Sequence, residues 1–249
     1  MTVEAYIPKH KYIATTLQSS NIDIDLSTAK VLELWGNAGT LLKDPENEVA
    51  EENYAVFDYD LEAIEAGIEE FPNADFRRWN HHNQMNNPTG VIDEPLPFVS
   101  DDKFDLIIMY MKSANVDPEI LENLLKDCYE HLNPGGTIMF GLFIREVSLN
   151  YFVVRRTHEY GMLDEGLIET TETADHFCLI NNDDIRPHIK RVPTEGDDGV
   201  REATHYTWFW NSDYVGEYLK ELFPNDKIGT RRLPPMWSIH SPFTIQKTS

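Results

Sequence analysis

The sequence predicts an α/β protein: a doubly wound, mostly parallel seven-stranded sheet with helices on both faces, an antiparallel edge strand and a lid insertion. Three observations predict it. Between residues 29 and 143, short apolar runs alternate with stretches whose apolar side chains recur at helical spacing. Phe104–Met111 and Thr137–Phe143 are nearly continuous apolar runs, as strands buried on both faces require. A small-residue turn, Gly36-Asn37-Ala38-Gly39, follows the first strand. Repeated strand–helix–strand order of this kind builds a parallel sheet.

The elements run in order. Residues 1–28 read as an N-terminal arm with some helical character. Val31–Leu34 is a first strand and Tyr54–Asp58 a second. Leu61, Ile64, Ile68 and Phe71 mark a helix, closed by Pro72-Asn73. Phe76–Trp79 is a short third strand and Phe104–Met111 the fourth. Asp117-Pro118 opens a helix with Ile120, Leu121, Leu124, Leu125, Cys128 and Leu132 on one face. Asn133-Pro134-Gly135-Gly136 stops it ahead of Thr137–Phe143. Residues 144–211 break the alternation and read as an insertion over the ligand cleft. Asp213–Phe223 is a helix, and Lys227–Arg231 and Phe243–Lys247 complete the sheet as an antiparallel edge. The expected organisation is therefore an arm (1–28), a cofactor-binding core (29–143), a substrate lid (144–211) and a C-terminal helix with strands (212–249).

The chain has 249 residues and a hydrophobic fraction of 41%, enough for a substantial core. No run approaches the roughly 18 apolar residues that span a bilayer. The first residues lack the basic-then-apolar pattern of a secretory leader. Cys128 and Cys178 have no metal-type spacing and read as two reduced, buried thiols in a cytoplasmic protein. A formal charge of −22 repels phosphate backbones, and the basic pairs are scattered, so neither nucleic acid nor membrane is expected as a partner. The sequence leaves the oligomeric state open.

The chemistry concentrates at the turn. Asp58 ends the second strand, nineteen residues after Gly39. A tight turn that lets backbone approach a ligand, with an acid at the tip of the next strand to accept from ribose hydroxyls, is the layout of a nucleoside pocket. Asp60 lies nearer the helix start and suits an N-terminal capping acid. His81 and His82 are adjacent in an extended segment and point apart, so no shared metal is expected. His158, His176, His188 and His205 lie in or beside the lid. His158 and His205 are the candidates for a general base. Tyr206, Trp208, Phe209 and Trp210 either wall a planar or cationic substrate or pack in the core.

Four pieces of the chain resemble class I S-adenosylmethionine-dependent methyltransferases. They are Val31–Gly39; Val56–Ile64; Leu96-Pro97-Phe98 with Lys103–Ile108; and Leu124-Leu125 through His131-Leu132-Asn133-Pro134-Gly135-Gly136-Thr137. His205-Tyr206-Thr207-Trp208 is similar to the approach to that family's last helix. The resemblance covers residues 29–143 and, more weakly, 204–247. It implies S-adenosylmethionine as cofactor and a small-molecule methyl acceptor. Asp58 would take both ribose hydroxyls, with Tyr59 beside it at the cofactor. Glu33 would orient the turn and face the methionine end, Asn80 would meet adenine, and Met109 at the end of strand four would touch the cofactor.

The departure is at the glycines. The family shows three alternating glycines, and the matching positions here are Trp35, Asn37 and Gly39, with Gly36 displaced by one. Trp35 either fills the methionine site or turns away to pack beneath the sheet while Gly36 makes the turn. A catalytically inactive, methyltransferase-like binding or scaffold protein is therefore the alternative. A nicotinamide-dependent oxidoreductase is disfavoured by the Asn-Pro-Gly-Gly turn. Met111-Lys112-Ser113-Ala114, where an Asp/Asn-Pro-Pro-aromatic segment would stand, argues against methylation of nucleic-acid bases.

Overall fold

The structure is a computed structural model that describes residues 8–82, 87, 89–92, 94–110, 113, 116, 118–144, 170–174, 177–180, 208–210, 212–230 and 240–248. Strands β1 (Val31–Leu34), β2 (Tyr54–Asp58), β3 (Asp75–Arg78), β4 (Phe104–Met109) and β5 (Leu132–Ile144) pair in parallel in the order β3-β2-β1-β4-β5. Strand β10 (His240–Gln246) adds antiparallel to β5, and β9 (Lys227–Thr230) adds antiparallel to β10. These seven strands form the expected sheet.

Alternation along the strands supplies two apolar faces. On one, Leu32, Leu34, Phe57, Ile107 and Met109 pack with α3 (Pro118–Glu130) and with α4 (Ser212–Leu222). On the other, Val31, Val56, Leu106 and Ile108 pack with α1 (Lys9–Ser19) and with Ile64 of α2 (Leu61–Glu70). Asp60 caps α2: its Oδ1 accepts from the Glu62 and Ala63 amides at 3.1 and 3.2 Å.

Three details add to or differ from the sequence expectation. The connection from β1 to β2, to which the sequence reading assigned no element, carries turns and a single 3-10 turn, Glu51–Asn53. Pro45 and the turn-forming Asp44 and Asn47 interrupt that stretch: Asp44 Oδ1 accepts from the Glu46 amide and Asn47 Oδ1 from the Val49 amide, both at 3.0 Å. Tyr12, Ile13 and Leu17 of α1 join Leu41 and Val49 in covering that face. Second, β5 begins at Leu132 instead of Thr137. Its pairing with β4 steps from Phe104–Leu132 to Leu106–Thr137, so Asn133–Gly136 form an irregularity within the strand, with Gly135 at φ 81°. Third, the insertion contributes strands to the sheet. β6 (Thr170–Ala174), β7 (Phe177–Ile180) and β8 (Trp208–Trp210) pair antiparallel in that order, and β8 runs parallel to Phe143-Ile144 of β5. Phe143 also pairs with His240, so β8 takes the edge of β5 that β4 leaves after Met109.

Ser113 closes that handover. Its buried hydroxyl lies 3.0 and 2.7 Å from the carbonyls of Met109 and Gly141, which share its one proton, and accepts from the Gly141 amide at 3.1 Å. Among the described residues, no helix is long and apolar enough to cross a membrane.

Candidate functional site

The turn after β1 is left-handed at three alternating positions: Trp35 (φ 59°), Asn37 (φ 55°) and Gly39 (φ 76°). Trp35, not Gly36, therefore makes the first left-handed step. Gly36 serves another need. A Cβ there would lie 3.0 Å from Val56 Cγ1 and 3.2 Å from the Glu33 side chain, so any larger residue would have to push these buried neighbours aside. The left-handed region costs a non-glycine residue about 1–2 kcal/mol, and least for Asn. Asn37 eases its own position by accepting from the Ala38 amide through Oδ1 at 2.9 Å. Trp35 remains tied to β2 by its amide, which donates to the Phe57 carbonyl at 2.8 Å.

The Trp35 indole turns to the α3 face of the sheet. Its ring centre lies 5.4 Å from that of Trp79 and 6.3 Å from that of His81, and Trp79 and His81 are 4.5 Å apart. Only 6% of Trp35 is exposed, and its buried indole N–H has no hydrogen-bond partner. Trp79 is anchored twice: its amide donates to the Asp58 carbonyl at 2.7 Å and its Nε1 to the Glu94 carbonyl at 3.1 Å.

Asp58 sits at the tip of β2, fully buried. Its Oδ2 accepts from the Asn37 amide at 2.8 Å and its Oδ1 from the Asp60 amide at 3.0 Å. The carboxylate thus joins the turn after β1 to the start of α2. Tyr59, half-buried beside it, has its phenol held above the ordinary value, first by burial and then by the charges of Asp58 and Asp60.

Glu33 points to the opposite face. It is buried, accepts from the Lys9 ammonium of α1 on one oxygen and from the Tyr54 hydroxyl on the other. Lys9 also donates to Thr40 and stands 5.5 Å from the centre of the Tyr110 ring. Burial, then the Glu33 charge, pushes the Tyr54 phenol well above its usual range. Asn80, after β3, accepts from Asn87 Nδ2 at 3.2 Å, and its carbonyl accepts from the Val91 amide at 2.8 Å. Met109 is wholly buried in the core at the end of β4.

The structure thus brings Trp35, Gly36, Asn37, Gly39, Asp58 and Tyr59 to one end of β1 and β2. Glu33 lies on the far face of the same end, while Asn80 belongs to the segment after β3. His158, His176, His188, His205 and Tyr206 lie outside the described residues, as do the side chains of Trp208 and Phe209. Trp210 is buried, with its ring 5.5 Å from that of Tyr218. Sequence reasoning missed Lys9, Thr40 and Tyr54 as partners of Glu33, and Trp79 as the partner of Trp35. The only signal was the apolar patterning that put Tyr54 and Trp79 in strands.

No protein-family description matches the sequence, and no curated protein does. Solved structures do share the fold. A methyltransferase of Methanosarcina mazei, described as S-adenosylmethionine-dependent, matches 97% of this chain and 99% of its own with a TM-score of 0.52 at 16% identity. A protein of Pyrococcus horikoshii matches 97% of this chain and 92% of its own, with a TM-score of 0.51 at 17% identity. The 1,6-didemethyltoxoflavin N1-methyltransferase of Burkholderia thailandensis, solved with bound 1,6-didemethyltoxoflavin and S-adenosylhomocysteine, matches 95% of this chain and 76% of its own, with a TM-score of 0.52 at 11% identity.

Proposed function

We propose that this chain, which has the class I methyltransferase fold, binds S-adenosylmethionine at the carboxyl ends of β1 and β2 and transfers its methyl group to a small-molecule acceptor. One observation carries the reading. The backbone stays left-handed at residues 35, 37 and 39, although two of those positions hold side chains that make this costly. Strain kept in a short turn, next to a carboxylate at a strand tip, is the mark of a backbone shaped for something other than packing.

The donors and acceptors suit an adenosyl group. A carboxylate offers about four lone-pair sites, and Asp58 uses two of them on amides, which leaves two for a ribose diol. The side chains keep this place shut: Asp58 is fully buried and Trp35 lies against Trp79. Binding therefore requires the Trp35 ring to leave Trp79. When bound, the cofactor supplies a methyl group already activated by its positively charged sulfur. The chain's share is to grip the sugar through Asp58 and hold the turn amides in place. A cytoplasmic location and the absence of nucleic-acid or membrane partners belong to the same reading.

A second reading is favoured by a specific observation. Both oxygens of Asp58 are satisfied by the chain itself, and the Trp35 indole is buried at the turn. On this reading the protein is a methyltransferase-like binding or scaffold protein without catalysis. Calorimetric titration with S-adenosylhomocysteine separates the two. The natural chain binds on the first reading. On the second, only the Trp35→Gly/Asn37→Gly variant binds. Silence from both proteins at about 10 mM ligand sinks the adenosyl site altogether.

A further inference from the structure

We propose that the cavity between α3 and the segment after β3 is a binding site for a small protonated organic amine with an apolar body. The cavity has a volume of about 350 Å³, within the range of small-molecule sites. It is lined by α3, the 94–96 segment, Trp79 and His81, so it adjoins the Trp35 cluster, but its ligand follows from its own lining and not from the adenosyl reading. Leu96 and Leu124, both core residues, and Ile120 supply the apolar surface.

The charges around it select the ligand. Lys126 lines the cavity, but its ammonium bonds Glu122 at 2.6 Å, one turn earlier on α3, so it is already neutralised. Glu94, Asp127 and the buried ring of His81 remain, and of these only the two carboxyls carry negative charge. Asp127 stands at the exposed rim. Glu94 lines the cavity, and its Oε2 is packed away from water in the cavity wall without a hydrogen-bond partner, so a turn of the carboxyl is enough to present it to a ligand. A carboxylate oxygen in that state is unfavourable, and an anionic ligand would make it worse. A neutral ligand without a donor would leave it unchanged. An ammonium has three donors and a charge of the right sign, so it satisfies Glu94 while its apolar body covers Leu96, Ile120 and Leu124. The formal charge of −22 raises the local concentration of such cations at the surface.

The test uses 2-phenylethylamine, with 2-phenylethanol and 3-phenylpropionate as neutral and anionic counterparts, each titrated into the full chain by calorimetry. The amine binds, the alcohol binds at least about tenfold more weakly, and the carboxylate gives no heat. Glu94→Gln weakens amine binding by about tenfold or more, while its melting temperature stays level or rises because an unpaired carboxylate has been removed. Leu124→Trp fills the cavity and abolishes binding. Equal affinity for all three probes, no amine binding at about 10 mM, or unchanged amine affinity in Glu94→Gln would each overturn the proposal.

Discussion

The amide of Asn37 donates to Asp58 Oδ2 across 2.8 Å, so a single charge-assisted bond ties the turn after β1 to the tip of β2. A second amide, from Asp60, takes the other oxygen. One carboxylate therefore holds the shape of the turn and the start of α2 together.

Asp58→Asn tests that joint. Its amide nitrogen must face one of the two donors, which leaves a buried N–H unmet. The expected loss is about 1–3 kcal/mol of stability. On the proposed function, affinity for S-adenosylhomocysteine falls by at least about tenfold. Urea unfolding and calorimetry on the same sample measure both. A variant as stable as the natural chain would show that the amides do not depend on the charge.

The left-handed positions respond differently to glycine. Asn37→Gly exchanges the Asn37–Ala38 bond for an easier dihedral and changes stability by less than about 1 kcal/mol. Asn37→Val places a β-branched side chain at the same φ and costs at least about 1–2 kcal/mol more. Trp35→Gly relieves strain but loses a buried ring. Removal of a large core ring costs about 3–5 kcal/mol against the 1–2 kcal/mol recovered, so net destabilisation is about 1–4 kcal/mol. Denaturant midpoints of the three variants check the order.

The Lys9–Glu33 pair is buried, so removing one partner strands a charge. Lys9→Met costs about 3–5 kcal/mol. Adding Glu33→Gln restores much of this, because a neutral amide can still accept from Tyr54. A coupling of about 1–3 kcal/mol in the double-mutant cycle is expected. Strict additivity would mean that α1 does not report on Glu33.

Acid stability should pass through Asp102. Burial opposes its charge. Arg77, at 2.5 Å, and the Val99 amide, at 2.8 Å, outweigh burial and hold the carboxyl below its ordinary value of 3.8. The unfolded chain therefore takes up the proton first. The contribution is complete above the ordinary value and disappears as pH falls through the lower, folded one. Stability against pH should show an acid limb below about pH 4 that is shallower in Asp102→Asn. Identical limbs in the two proteins would remove Asp102 from the account.

Much of this fold is written locally. The runs that became β1, β2 and β4 are apolar on both faces, so burial and strand identity coincide. Asp60 could be recognised as a cap because capping acts within one turn. What stayed hidden was set by partners distant in sequence. Nothing near Glu33 announces that an ammonium from 24 positions earlier will meet it. The left-handed step at Trp35 was hidden for another reason. Gly36 looked like the residue with conformational freedom, but it is packed closely against Val56 and Glu33, and the left-handed dihedrals fall at Trp35 and Asn37 instead. The part α1 plays in covering the sheet face beside Leu41 and Val49 was hidden too, because no local pattern encodes it.

The attachment of β8 to β5 makes three strands of the insertion part of the sheet. Phe143 and Ile144 share ladder bonds with the Trp208–Trp210 strand, which in turn carries β7 and β6. A hinged flap would swing on a few torsions. Parting β8 from the core would instead first break its two-residue ladder with the end of β5.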